Sequence, residues 1–439
     1  MHDDKHEPVF PSADEASVRV RLGTHLKTKE PVYWLPEDTR YPAAANLAVV
    51  GGGKTGNTQM LCSAAIQLLR QKKQAGESLG LLLVDGLDDY SDSRGNFLEL
   101  TDARPLRLHK LPFHPLNLSG LEQKPQLHTH MAMVFADTLA RAYGLSPLEK
   151  STLVQAVIAA YASAGITSDP LTWDRKAPGL EDVCEEYRAR PQGQRSDTVT
   201  HILDTLSAME LFDAEAAEKP PLLDLLRGTV VLDMSGYPEA LKHFVLGVIL
   251  ETIWAQIPSR QRTLERKLQH MILIDHADRL LSAGSPGLEG LLTQGWEYGV
   301  GLMFSAQSME LFQAEAFDCR KWLRAWVLHN VADLQKKDLE FLLQMDIPDS
   351  ELERLYQESR SLRKLHSLIF LDTEDPVLAE DLPYFEIAGD ARQSYLVPER
   401  PEPEPEIPAG MPLLDFNDLD ALPAQDDDFV GLMGIFDDL

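Results

Sequence analysis

The stretch from Asn46 to Leu69, NLAVVGGGKTGNTQMLCSAAIQLL, constrains the fold more than any other part of the chain. It reads as a short apolar strand (Leu47 to Val50), a glycine-rich loop, and an amphipathic helix opening near Thr58. That layout lets backbone N–H groups and a helix N-terminus surround a phosphate. The consensus for such a loop is G-x-x-x-x-G-K-[ST], and Gly51 to Thr58 spells G-G-G-K-T-G-N-T. Gly51, Gly56 and Thr58 match. Asn57 stands where the lysine belongs, and a lysine occurs three places earlier as Lys54, between Gly53 and Thr55. No other register restores the motif, because pairing Gly53-Lys54-Thr55 with the pattern would require glycine at Ala48. The loop reads as a phosphate site without its main cation.

Partners are bounded by charge. The chain carries a formal net charge of −28, and twelve acidic residues against one arginine lie in its last 42 positions. Removing that tail's −11 leaves −17 on the rest. Proteins that grip nucleic acid usually present a basic face, so any DNA contact is local or made by a partner. Cys62, Cys184 and Cys319 are widely spaced and form no CxxC pair, which argues for reduced thiols in a cytoplasmic protein. No apolar run reaches the roughly 18 residues of a membrane span, and MHDDKHEPVF lacks the layout of a secretory signal.

Periodicity then divides the chain. Residues 1–17 are polar and read as disordered. From Val18 the sequence alternates as a small β element with a turn at Gly23. GLLLVD (Gly80 to Asp85) is a continuous apolar run with an acidic end, the pattern of a buried parallel strand. Residues 121–226 show apolar spacing of i, i+3, i+4 and i+7 and read as an all-helical insertion. Strands resume at Thr229–Asp233, Met271–Asp275, Val300–Ser305 and Ala325–His329, separated by helices at Ala240–Gln256 and Pro286–Trp296. KLHSLIFL (Lys364 to Leu371) adds an edge strand. Strands alternating with helices predict a mostly parallel α/β sheet. Residues 18–120 and 227–397 thus form two parts of one core, and 398–439 are a Pro/Glu linker and an acidic-hydrophobic tail.

The second informative run is HMILIDHADRLL. A strand ending in Asp275 is placed to hold Mg²⁺ beside a phosphate loop. The following position, which in such a site carries a glutamate that activates water, is His276. His109, His114, His128 and His130 lack cysteine company and read as surface histidines.

Together these pieces resemble the HerA/FtsK branch of P-loop ATPases, which includes conjugative coupling proteins and restriction-associated helicases. The resemblance spans most of residues 18–372: RLG…EPVYW, GGGKTGNTQ, LLLVDGLDDY, PFHPLNL, VVLDMSGYP, ILIDHADRLL and GLMFSAQS. It implies a RecA-like core, a hexameric ring and ATP-driven DNA translocation. Carried across, Gly51, Gly56 and Thr58 cradle phosphate and Mg²⁺, Asp275 holds the metal, and Gln307 is a polar sensor after its strand. Arg320 and Arg324 follow the sensor strand, where a ring ATPase can place arginines that reach a neighbour's site, although FDCRKWLRAW reads more readily as a solvated helix face.

Asn57 and His276 fall on the two residues that do chemistry. Losing one group that stabilises the transferring phosphoryl typically costs about 10²- to 10³-fold in rate. The expectation is therefore a pseudo-ATPase that binds ATP and Mg²⁺ at most weakly, through backbone amides. An active but slow translocase using Lys54, and a mixed-ring subunit lending an arginine, are the alternatives. In the tail, Leu414, Phe416 and Leu419, then Phe429, Leu432, Ile435 and Phe436, interleave with aspartates. This pattern suits folding onto a groove of a protein partner. The chain is expected to act as a scaffold or adaptor in a DNA-processing, DNA-transfer or defence complex, recruiting that partner through 411–439.

Overall fold

The computed structural model describes residues 18–388 apart from 91–95, 123, 214–220, 260–261, 263–266, 313–316, 344–346 and 372–374. The segments read as a disordered N-terminus and a partner-binding tail, with Leu414, Phe416, Leu419, Phe429, Leu432, Ile435 and Phe436, lie outside the described residues.

The chain opens with β1 (Val20–His25) and β2 (Pro31–Trp34), then β3 (Leu47–Val50), the glycine-rich loop and α1 (Asn57–Gln74). β4 (Gly80–Asp85), α2 (Phe97–Thr101) and β5 (Arg104–Arg107) follow. A helical stretch comes next: α3 (Leu127–Tyr143), α4 (Pro147–Ser163), α5 (Leu180–Arg188), α6 (Asp197–Ala208) and α7 (Leu222–Leu225). The alternation resumes with β6 (Thr229–Asp233), α8 (Glu239–Gln256), β7 (His270–Ile274), α9 (Asp278–Ala283), α10 (Pro286–Gln294), β8 (Val300–Ala306) and β9 (Ala325–Leu328). The last elements are α11 (Lys336–Leu343), α12 (Asp349–Arg360), β10 (His366–Leu371), β11 (Val377–Asp381) and α13 (Tyr384–Ala388).

All strands join one sheet in the order β2-β1-β11-β10-β9-β3-β8-β7-β4-β6-β5. From β9 to β5 every neighbouring pair is parallel, and β10, β11, β1 and β2 extend the sheet antiparallel. This is the mostly parallel sheet predicted from the alternation of strands and helices, and the RecA-like core that the resemblance implies. β3, β4, β8 and β9 are buried along their whole length, because helices cover both faces of a parallel sheet. Alternate residues divide between those faces: Ala48 and Val50 pack with α3–α6 and α8, whereas Leu47 and Val49 pack with α1 and the β1–β2 hairpin.

Several sequence expectations need correction. Gly23 lies inside β1 beside a bulge, not in a turn. A Cβ there would stand 2.4 Å from the Glu380 carbonyl oxygen of β11, so glycine serves close backbone approach. β10 is internal, flanked by β9 and β11, rather than an edge. His114 and His128 are buried, and burial holds the His114 imidazole at about 4, neutral at ordinary pH. By length and composition, one helix among the described residues (Glu239–Ser259) is apolar enough to cross a membrane, but two thirds of its apolar window is buried inside the fold.

Candidate functional site

Parallel strands bring their C-terminal ends to one edge of the sheet, where ligands bind in open α/β folds. The loop after β3, Asp85 at the end of β4, Asp275 after β7, Gln307 after β8 and His329 after β9 share that edge. β8 separates β3 from β7 and places Ser305 beside the residues that follow β7, its hydroxyl donating to Asp275 and accepting the His276 N–H at 2.9 Å.

In the loop, Gly56 has φ 134°, open only to glycine, and leads into α1. Among the described residues the N–H groups of Gly53, Lys54, Gly56, Asn57 and Thr58 donate to nothing, so a row of donors survives at the helix N-terminus. Lys54 is exposed with φ 65°. The Thr55 hydroxyl donates to the Gly52 carbonyl at 2.7 Å. The amide nitrogen of Asn57 turns inward and donates to the Gly51 carbonyl at 2.8 Å.

Asp275 is buried and saturated with donors. Its Oδ2 accepts from Thr58 Oγ1 at 2.8 Å and from the Tyr90 hydroxyl at 2.9 Å. Its Oδ1 accepts from Ser305 Oγ and from the His276 N–H at 3.1 Å. Tyr90 reaches it because the Asp85 carboxylate accepts the N–H groups of Leu87, Asp89 and Tyr90, each at 3.1 Å, folding the turn after β4. That turn also sets Asp89 Oδ2 3.4 Å from His276 Nε2. The hydrogen bond to Asp89 raises the His276 pKa above its ordinary 6.5 against the opposing effect of burial.

No protein-family model and no curated protein matches the sequence. Solved structures do match in shape. VirB4 of Thermoanaerobacter pseudethanolicus superposes with a TM-score of 0.61 at 14% identity, covering 85% of this chain and 98% of that one. The bacterial conjugative coupling protein TrwBΔN70, in its unbound monoclinic form, gives 0.50 at 12% identity, covering 83% and 89%. The chain shares the fold of these two proteins.

Within that fold, ATP and Mg²⁺ fit this site unequally. The Thr58 hydroxyl and Asp275 form the oxygen pair that would hold Mg²⁺, and Asp89, Asp275 and His276 bring ligand atoms within 4.8 Å of one another. The backbone donors would take a phosphate. The side chains would not neutralise it, since Asn57 is uncharged and bonded inward. Gln307 is exposed, with its N–H donating to Asp278 Oδ1 at 2.9 Å. Arg320 pairs with Asp318 at 2.9 Å and lies 4.1 Å over the Phe341 ring. Arg324 adjoins the N-terminal end of β9, at the sheet edge opposite its own loop. The sequence reading gave no role to Tyr90 and Ser305, although they lie in its runs LLLVDGLDDY and GLMFSAQS, and it passed over the roles of His329 and Asp381, which no local motif marks.

Proposed function

We propose that this chain is a catalytically silent HerA/FtsK-type subunit that serves as a scaffold or adaptor in a DNA-transfer or DNA-processing machine. The observation that carries this reading is Asn57, which sits at the lysine position and spends its amide on the Gly51 carbonyl. Hydrolysis needs positive charge on the transferring phosphoryl group and a base for the attacking water. His276 serves poorly as that base, since Asp89 favours its protonated form. The two losses each cost about 10²- to 10³-fold in rate.

The transfer context is drawn from the likeness to VirB4 and to a conjugative coupling protein. With a net charge of −28, the chain contributes to such a machine by holding proteins rather than by gripping DNA along a broad face. Residues 411–439 recruit the partner, and assembly into a homo- or hetero-oligomeric ring follows the same resemblance.

The test is Mg–ATP binding by calorimetry and ATP turnover on the full chain, with and without DNA. The expected result is no turnover above the blank, unchanged by Thr58→Ala. Robust turnover that Lys54→Ala abolishes would overturn the reading and make this an active translocase with a relocated lysine.

A further inference from the structure

The side chain that replaces the loop's lysine is the first link of a buried polar chain leading away from the phosphate face. A carbonyl only accepts, so Gly51 fixes the orientation of the Asn57 amide, nitrogen toward itself and oxygen away. That oxygen stands 2.7 Å from His329 Nδ1. On the far side of the ring, Nε2 lies 2.8 Å from Asp381 Oδ2, and Ser367 Oγ donates to the other carboxylate oxygen. His329 and Ser367 are 0% exposed and Asp381 is 6% exposed. Both ring nitrogens of His329 therefore face acceptor oxygens, Asn57 Oδ1 on one side and the Asp381 carboxylate on the other.

The loop is packed onto this chain as well as bonded to it. A Cβ on Gly51 would meet Thr55 Oγ1 at 2.5 Å, His329 Cβ at 2.6 Å and Asn57 Oδ1 at 2.7 Å, so the loop's own side chains fill its inner hollow. Two backbone bonds add to the hold: Gly52 N–H to Asn330 at 2.9 Å and Leu365 N–H to the Thr55 carbonyl at 3.1 Å. Asn57 opens α1, His329 follows β9, Ser367 lies in β10 and Asp381 ends β11. The polar chain thus crosses from the parallel half of the sheet into its antiparallel extension.

We propose that Asn57, His329 and Asp381 form a latch that holds the phosphate-binding loop in one conformation without nucleotide and couples it to β10 and β11. His329 and Asp381 are then positioning residues of the loop. The latch also explains why the lysine is not simply replaceable. An ammonium at position 57 only donates, so it would satisfy the Gly51 carbonyl but leave the His329 Nδ1–H facing a second donor. Restoring the lysine alone loosens the loop and does not restore an ATP site.

This inference rests on the silent-subunit reading, and its test separates the two. Hydrogen–deuterium exchange is followed on the full chain for the loop's hydrogen-bonded N–H groups, those of Gly51, Gly52 and Thr55, with residues 300–306 of β8 as the reference for an intact fold. In the wild type, Mg–ATP leaves loop exchange unchanged. Asn57→Lys and Asp381→Asn each speed it about tenfold or more, the effect of losing a buried hydrogen bond, while β8 stays slow. Wild-type exchange rates in both variants, or a wild-type loop that Mg–ATP slows tenfold, would overturn the latch. Where a variant also loosens β8, ¹⁵N-histidine NMR of the wild type decides: two protonated ring nitrogens on His329 support the latch, and one bare nitrogen sinks it. ATP turnover with responsive variants would defeat the silent-subunit reading alone.

Discussion

At the scale of single residues, His276 is where electrostatics can be read as stability. Its partner Asp89 raises the folded-state pKa above the ordinary 6.5, so the pair stabilises the protonated histidine more in the folded chain than in the unfolded one. That contribution is complete below about 6.5, the unfolded value, and is lost as pH rises through the raised folded value. Asp89→Asn removes the largest source of the raise and leaves the smaller effects of the Asp275 and Asp278 charges. In urea titrations the wild type is expected to exceed the variant in midpoint at mildly acidic pH, with the gap closing toward alkaline pH. A gap that widens with pH would show that Asp89 acts on some other group. His276, Asn57 and Asp275 were legible from the sequence because each is defined by its place in a short register. Asn57's partner His329 was not, since 272 positions separate the two and only the β3–β9 pairing brings them together.

At the scale of elements, legibility followed burial. β3, β4 and β6 were readable to their ends because continuous apolar runs bounded by turn residues signal strands covered on both faces. β5 reads Arg-Pro-Leu-Arg and is mostly exposed, and β11 is only partly buried, so neither leaves such a run. α1 was plain as an amphipathic helix, but its last turn holds something periodicity hides. Lys72 is 1% exposed and forms ion pairs with Glu37, itself buried, and with Glu77 at 2.7 Å. Glu37 also accepts the Leu268 N–H at 2.8 Å, joining α1 to the approach of β7. Lys72→Met takes a buried cation away from the buried Glu37 carboxylate, and the expected result is a lower unfolding midpoint. Lys72→Met combined with Glu37→Gln should recover part of that loss, because the facing negative charge is then removed as well. Equal stability of the single variant and the wild type in guanidinium unfolding would mean that water reaches Glu37.

At the scale of the whole molecule, the helices of 121–226 interrupt the sheet in sequence but not in packing. Phe135 of α3 meets Phe244 of α8 edge to face with centroids 5.9 Å apart, and Phe212 lies 6.3 Å from the same ring. Leu139, Leu153, Tyr161 and Leu203 join one apolar cluster with Val50, Val84, Ile272 and Phe304 of the sheet. α8 is apolar almost all round because α3 and α10 both pack on it and its buried residues join the sheet's apolar cluster. Deleting 121–226 and closing the gap with a short linker would bare α8 and one face of the sheet, an apolar patch beyond the few hundred Å² a monomer tolerates. The expected product binds a hydrophobic dye strongly, is cut rapidly by protease and shows no cooperative melt. A deletion product that melts as sharply as the full chain would establish the helical block as a separately folding insertion. The shared aromatic cluster around Phe244 argues against that outcome, since a domain that folds alone keeps its largest buried rings to itself.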